Sequence, residues 1–142
     1  MAGDIVVGIG GDGSGTTAAL TAARIANFMH RPIVLVFGFE PSAMGGARGT
    51  IREEIEAIGH EATTHVANAI KAEYPDVHVD IELVQQRPVD SLIAVATLRG
   101  AEVIVVGHGG QGPMAGALLG NITYEIVHRS PHPVLVVPNV DN

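Results

Sequence analysis

The chain has 142 residues, of which 46% are apolar and 16% charged, with no cysteine and a formal net charge of −7. Such a composition fits one folded domain (residues 1–142) with a full core, and it excludes a disulfide framework, thiol chemistry and general disorder. The acidic balance argues against a nucleic-acid binder, which needs a basic footprint, and no apolar run approaches the ~18 residues of a membrane span. The opening Met1-Ala2-Gly3-Asp4 lacks the basic start of a signal peptide, so a cytoplasmic location is expected.

Asp4-Ile5-Val6-Val7-Gly8-Ile9 reads as a strand. A turn rich in glycine and helix-start residues follows, Gly10 to Thr16, and Thr17 to Met29 reads as a helix. Its alanines, with Leu20, Ala23 and Phe28, are expected to pack closely on a sheet. Ile33-Val34-Leu35-Val36-Phe37 is a second, buried strand.

Ser42 to Gly49 has no periodicity and reads as a surface loop. Thr50 and Glu53 have the spacing of a capping box. Ile51, Ile55, Ile58, Ala62, Val66, Ala69 and Ile70 then recur at helical steps, which predicts an amphipathic helix ended by Pro75-Asp76. Val77 to Val84 alternates apolar and polar residues, the pattern of a half-exposed strand at a sheet edge. Pro88 and Asp90 open a helix carrying Leu92, Ile93, Val95, Ala96 and Leu98, and Gly100 closes it.

Val103-Ile104-Val105-Val106 reads as a fourth buried strand. The glycine-rich stretch from Gly107 to Thr123 follows, then a helix over Tyr124–Arg129 and a fifth strand over Val134–Val137. A strand, a glycine loop and a helix N-terminus in succession can hold an anion. Glycine lets main-chain amides approach a ligand, and the helix end adds N–H groups without intrahelical partners. Connections of this kind usually run about 2–6 residues, so a mere turn does not account for the length. Phosphate binding is the reading preferred here. His108 either donates to such a phosphate or faces solvent.

The alternation βαβαβαβαβ predicts an α/β fold: a single doubly wound, mostly parallel five-stranded sheet with helices on both faces. Ligands of such sheets bind beyond the carboxyl ends of the strands, where strand order reverses.

Over nearly its full length the sequence resembles the universal stress protein family. The resemblance rests on Ile5-Val6-Val7-Gly8-Ile9, on Ala101-Glu102-Val103-Ile104-Val105-Val106-Gly107, and on the closing Pro133-Val134-Leu135-Val136-Val137-Pro138. Its most specific part is the spacing Gly107, two residues, Gly110, nine residues, Gly120. The resemblance implies a flavodoxin-like sheet, of the kind shared with adenine nucleotide alpha hydrolases, and binding of ATP, with Mg²⁺ carried on the nucleotide. It implies that Gly107, His108, Gly110, Gly120, Asn121, Ile122 and Thr123 lie along the phosphates. The adenosine would then lie near Ile9, Gly38 and Val106. It also implies a homodimer formed through Val134–Val137 and a regulatory role in stress.

Two positions depart from the family pattern. Asn121 stands where a hydroxyl is usual, with Thr123 two residues on, and Gly10 stands where an aspartate is usual, with Asp12 close by.

Other readings carry less. Gly8-Ile9-Gly10-Gly11-Asp12-Gly13 fits a dinucleotide fingerprint, with Glu40 placed for a ribose, but it leaves the later glycine loop unexplained. His60 and His65 are five apart, so they do not share a helix face as zinc ligands would, and no metal site is expected. The glycine loop contains no lysine or arginine, which argues against efficient phosphoryl transfer unless Arg48 or Arg129 swings in. An interaction scaffold that binds no nucleotide and a slow ATPase are the remaining alternatives.

Overall fold

The computed structural model describes residues 3–11, 14–40, 49–108 and 121–138. Its elements are β1 (Ile5–Gly8), α1 (Thr16–Met29), β2 (Ile33–Gly38), α2 (Gly49–Glu73), β3 (Val79–Val84), α3 (Pro88–Arg99), β4 (Val103–Gly107), α4 (Asn121–Arg129) and β5 (Val134–Val137). The strands form one sheet in the order β3-β2-β1-β4-β5, and every pairing is parallel. The chain winds outward from β1 to β3, then crosses back to place β4 on the other side of β1. Strand order therefore reverses between β1 and β4.

Parallel strands this apolar are stable only when both faces are covered. Helices α1 and α2 seal one face, around Ile5, Val7, Ile33, Leu35, Val66, Ile70 and Val105. Helices α3 and α4 seal the other, around Val6, Val34, Val36, Leu92, Val95, Ile104 and Ile126. Phe37 and Phe39 stack at the end of β2 against Ile55 and Leu83.

Several apolar residues expected to pack inward do not. Helix α1 buries Ala18, Ala19, Ala22, Ala23 and Ala26, while Phe28 is 85% exposed. At ~100° per residue, Phe28 falls roughly 150° from the centre of the alanine face. Small side chains let α1 sit close to the sheet, and a phenylalanine has no place in that seam. Leu98 of α3 and Ile51 and Ile58 of α2 are exposed as well. Helix α2 meets the sheet through Thr63, Val66, Ala67 and Ile70 of its C-terminal half, and earlier through Ile55 and Gly59 against Phe37 at the end of β2. Helix α2 begins at Gly49, ahead of the expected Thr50 cap, and α4 begins at Asn121, three residues before the expected start. The third strand starts at Val79, with Val77 buried just before it.

The two sheet edges differ in chemistry. On β3, Asp80 and Glu82 both pair with Arg99 of α3, which also holds Asp4 ahead of β1. One guanidinium thus ties an edge strand to the central strand and to a helix. Edge strand β5 carries only Val134, Leu135, Val136 and Val137, the first three half-buried. No helix among the described residues is long and apolar enough to cross a membrane.

The hydrogen bond from Arg99 holds the Asp80 carboxyl below its usual range, against the opposing effect of partial burial. A depressed carboxyl stabilises the fold above its unfolded pKa and loses that contribution as pH falls through the folded value. Asp80 is partly exposed, so the pair contributes no more than about 1 kcal/mol. Asp80→Asn should lower stability by that amount at pH 7, and the gap from the native chain should close below about pH 4. Urea titrations at several pH values measure it; a gap that persists at low pH would remove this role from the pair.

Candidate functional site

The sheet brings the carboxyl ends of β2, β1 and β4 side by side, and the expected nucleoside residues lie there. Ile9 directly follows β1, Gly38 ends β2, and Val106 is the penultimate residue of β4. Ile9 and Val106 are both buried, but in opposite cores: Ile9 under α1, Val106 under α3. Their side chains are already used in packing, so what these positions offer at the sheet end is main chain. The amide of Ile9 donates to the Val36 carbonyl at 2.9 Å, which continues the sheet past the strand.

The end of β1 is tied to the start of α1. Gly10 donates its amide to the Ser14 carbonyl at 3.0 Å. Gly15 then caps α1 with φ of 102°, a left-handed conformation that side chains disfavour. A Cβ there would also lie 2.8 Å from the Gly8 carbonyl oxygen. Helix α1 consequently begins close against the end of β1, with no acidic residue in its first turn. Asp12 falls outside the described residues.

Gly38 has a packing reason for its missing side chain. A Cβ at this position would lie 2.2 Å from Ser91 Oγ and 2.9 Å from Pro88 Cα. The first turn of α3 therefore occupies the space. Ser91, itself buried, donates from Oγ to the Pro88 carbonyl at 2.7 Å.

The connection from β4 to α4 is pinned at both ends. His108, half-buried, donates its amide to the Val137 carbonyl at 2.8 Å, extending the β4–β5 ladder by one step. Thr123, only 3% exposed, donates from Oγ1 to the Gly107 carbonyl at 2.8 Å. That bond fastens the first turn of α4 to the last residue of β4, and it commits the hydroxyl proton of Thr123. Asn121 and Ile122 are exposed in the same turn, which contains no acidic residue. Gly110 and Gly120 lie outside the described residues.

Of the two arginines expected to reach the loop, Arg48 also lies outside the described residues. Arg129 is already engaged. It donates to Glu125 Oε2 at 2.5 Å and to Asp90 Oδ1 at 2.8 Å. Sequence reasoning missed Arg87, which lies just before α3 and reaches Glu125 of α4 at 3.3 Å. The two residues are 38 apart in the chain, and only the packing of α3 on α4 brings them together. Among the described residues no cluster of three or more His, Asp or Glu side chains could hold a metal ion. His60 and His65 are both exposed on α2.

The model of the universal stress protein family matches residues 1–138. Universal stress protein Rv2028c of Mycobacterium tuberculosis is 34% identical over 104 residues, covering 72% of this chain and 36% of its own length. The chain thus spans about a third of that relative. Among solved structures, a universal stress protein in complex with cAMP is 28% identical with a TM-score of 0.66, covering 99% of this chain and all of that one. A universal stress protein of Archaeoglobus fulgidus in complex with dAMP has a TM-score of 0.73 at 18% identity, covering 94% of this chain and 95% of its own.

The pin between Thr123 and Gly107 is open to a direct test. Thr123→Val keeps the shape and removes the donor. It should destabilise the fold by about 1 kcal/mol, because a half-buried carbonyl loses its partner. Chemical denaturation reads this, and an unchanged midpoint would show that the hydroxyl contributes nothing.

Proposed function

The chain belongs to the universal stress protein family, and from that premise we propose that it binds an adenine nucleotide, ATP with Mg²⁺, as a regulatory module of the stress response. One observation carries the reading. The spacing Gly107, Gly110, Gly120 spans the connection from the last residue of β4 to the start of α4, at the reversal of strand order. Open parallel sheets receive their ligands at that point. The helix that follows opens without an acidic residue, so its positive end is not neutralised from within. The cAMP and dAMP complexes of related proteins support an adenine nucleotide as the ligand class.

In this reading the glycine loop and the first turn of α4 supply main-chain donors to the phosphates, from Gly107 through Gly110 and Gly120 to Asn121, Ile122 and Thr123, and His108 offers its side chain. The His108 amide and the Thr123 hydroxyl proton are already used within the fold, so Thr123 acts by setting the start of α4. The adenosine lies over the ends of β1 and β2, against main chain at Ile9, Gly10 and Gly38, with Asp12 beside it. Mg²⁺ rides on the phosphates with its waters, as this ion does when protein carboxylates are few.

The second half of the reading is a homodimer through β5. Strand β3 guards its edge with inward-facing Asp80 and Glu82, a charge pattern that discourages pairing with another strand. Strand β5 has no charged residue. The bonds from Ile104 N–H to the Pro133 carbonyl and from His108 N–H to the Val137 carbonyl fix which main-chain groups face β4. The main-chain groups of Val134 and Val136 therefore point outward, available to a second copy of the strand across a two-fold axis.

Calorimetry with ATP and Mg²⁺ tests the first half. The native chain should bind, and Gly110→Val should abolish binding while leaving the thermal midpoint in place; no heat from the native chain sinks the reading. Sedimentation tests the second. The native chain should run with twice the chain mass, and Val136→Pro, which removes an outward N–H at an edge, should run as a monomer. A native monomer would rule the dimer out, and a variant that stays dimeric would rule out β5 as its interface.

A further inference from the structure

We propose that Arg87 is the phosphate-contacting cation of the nucleotide site, an inference that rests on the nucleotide reading above. The problem it answers is electrostatic. The chain carries a net charge of −7, and the stretch from Gly107 to Thr123 holds no lysine or arginine. A polyphosphate entering this field needs a positive side chain nearby.

Among the described residues, several cations are held or placed elsewhere. Arg99 lies at the C-terminal end of α3, away from the carboxyl ends of the strands, and is held by three carboxylates. Arg129 is held between Glu125 and Asp90. Arg52 pairs with Glu56 along α2, on the opposite face of the sheet from α4. Lys71 occupies the last turn of α2, at the far end.

Arg87 differs in both position and engagement. It directly precedes α3, so it stands at the carboxyl end of the sheet, on the same face as α4. Its side chain is 51% exposed. Its Nη2 shares itself between the two oxygens of Glu125 at 3.3 and 3.4 Å, longer than a firm charge-assisted bond of about 2.7–2.9 Å. Glu125 meanwhile keeps its close bond to Arg129. When Arg87 leaves, Glu125 is still paired, so the guanidinium can move at little cost. One helical turn, about 5.4 Å, separates Glu125 from the amides that open α4.

Arg87 then closes the site from the α3 side. A guanidinium binds phosphate through a planar fork of donors, which the main-chain amides of a loop complement. Glu125 holds this arm in readiness while no anion is bound, and an arriving phosphate competes with it for the same donors. The contact discriminates nucleotides from nucleosides, because adenosine has nothing for Arg87 to grip.

Calorimetry of ATP and of adenosine against the native chain, Arg87→Ala, Arg87→Lys and Glu125→Gln tests this. Arg87→Ala should weaken ATP by about tenfold, the loss of one charged hydrogen bond, and leave adenosine unchanged. Arg87→Lys should recover part of the loss, and Glu125→Gln should tighten ATP, because it removes the competing charge. Equal ATP affinity in the native chain and Arg87→Ala overturns the proposal. A parallel loss for ATP and adenosine also overturns it, because Arg87 would then be only a strap between α3 and α4. If the native chain binds neither ligand, the nucleotide reading falls and this proposal with it.

Discussion

The structure depends on the burial of β1 along Ile5, Val6 and Val7. Ile5, Val6 and Val7 have no exposed surface, with helices against both faces and a parallel strand on either side. Nothing polar can be added to such a strand along its length. The only main chain it offers to a ligand is at its ends, and a parallel sheet has all its carboxyl ends on one side. The reversal of strand order then decides which part of that side is open. The helices that follow β1 and β4 cover opposite faces, α1 one and α4 the other, and neither carries an acidic residue in its first turn.

The same burial accounts for the two edges. A five-stranded open sheet has two outer strands, and each must be protected or used. On β3 the inward face is polar because Asp80 and Glu82 find Arg99, a partner that also holds Asp4. That network spans residues 95 apart in sequence, so it forms only when the sheet is assembled. Strand β5 has no such network and remains apolar, and among the described residues no strand pairs with its outward amides and carbonyls. One edge is guarded by charge, and the other is not.

Much of this was legible in the sequence, for a physical reason. Buried parallel strands need continuous β-branched runs, and Ile33 to Phe37 and Val103 to Val106 are such runs. The alternation in β3 announced an edge in the same way. The errors came where a helix has more apolar residues than its buried face requires. Phe28, Ile51, Ile58 and Leu98 fit a helical period loosely, yet the face that packs is set by small residues such as Ala19, Ala22, Ala23 and Ala26. At Gly38, which the resemblance puts near the adenosine, the missing side chain has a packing reason, because Ser91 and Pro88 fill the space, contacts between elements that no local pattern encodes. Arg87 was invisible for the same reason, because its partner lies on another helix.

The anchors of the β4–α4 connection bear on how the site and the open edge relate. Gly107 accepts from Thr123, and its neighbour His108 donates to Val137, the last residue of β5. The segment that carries the glycine signature therefore leaves from a residue bonded to α4 and from another bonded to β5. Any displacement of Gly107 by a ligand acts on both bonds at once. Hydrogen bonds at a strand end fray more easily than those in the middle, since each has a neighbour on one side only. The two anchors are thus the points at which tension in the loop would first be felt, and one of them belongs to the ladder that sets the position of the exposed edge. Site and edge share β4 as a common support, and this shared strand is the shortest physical route between them.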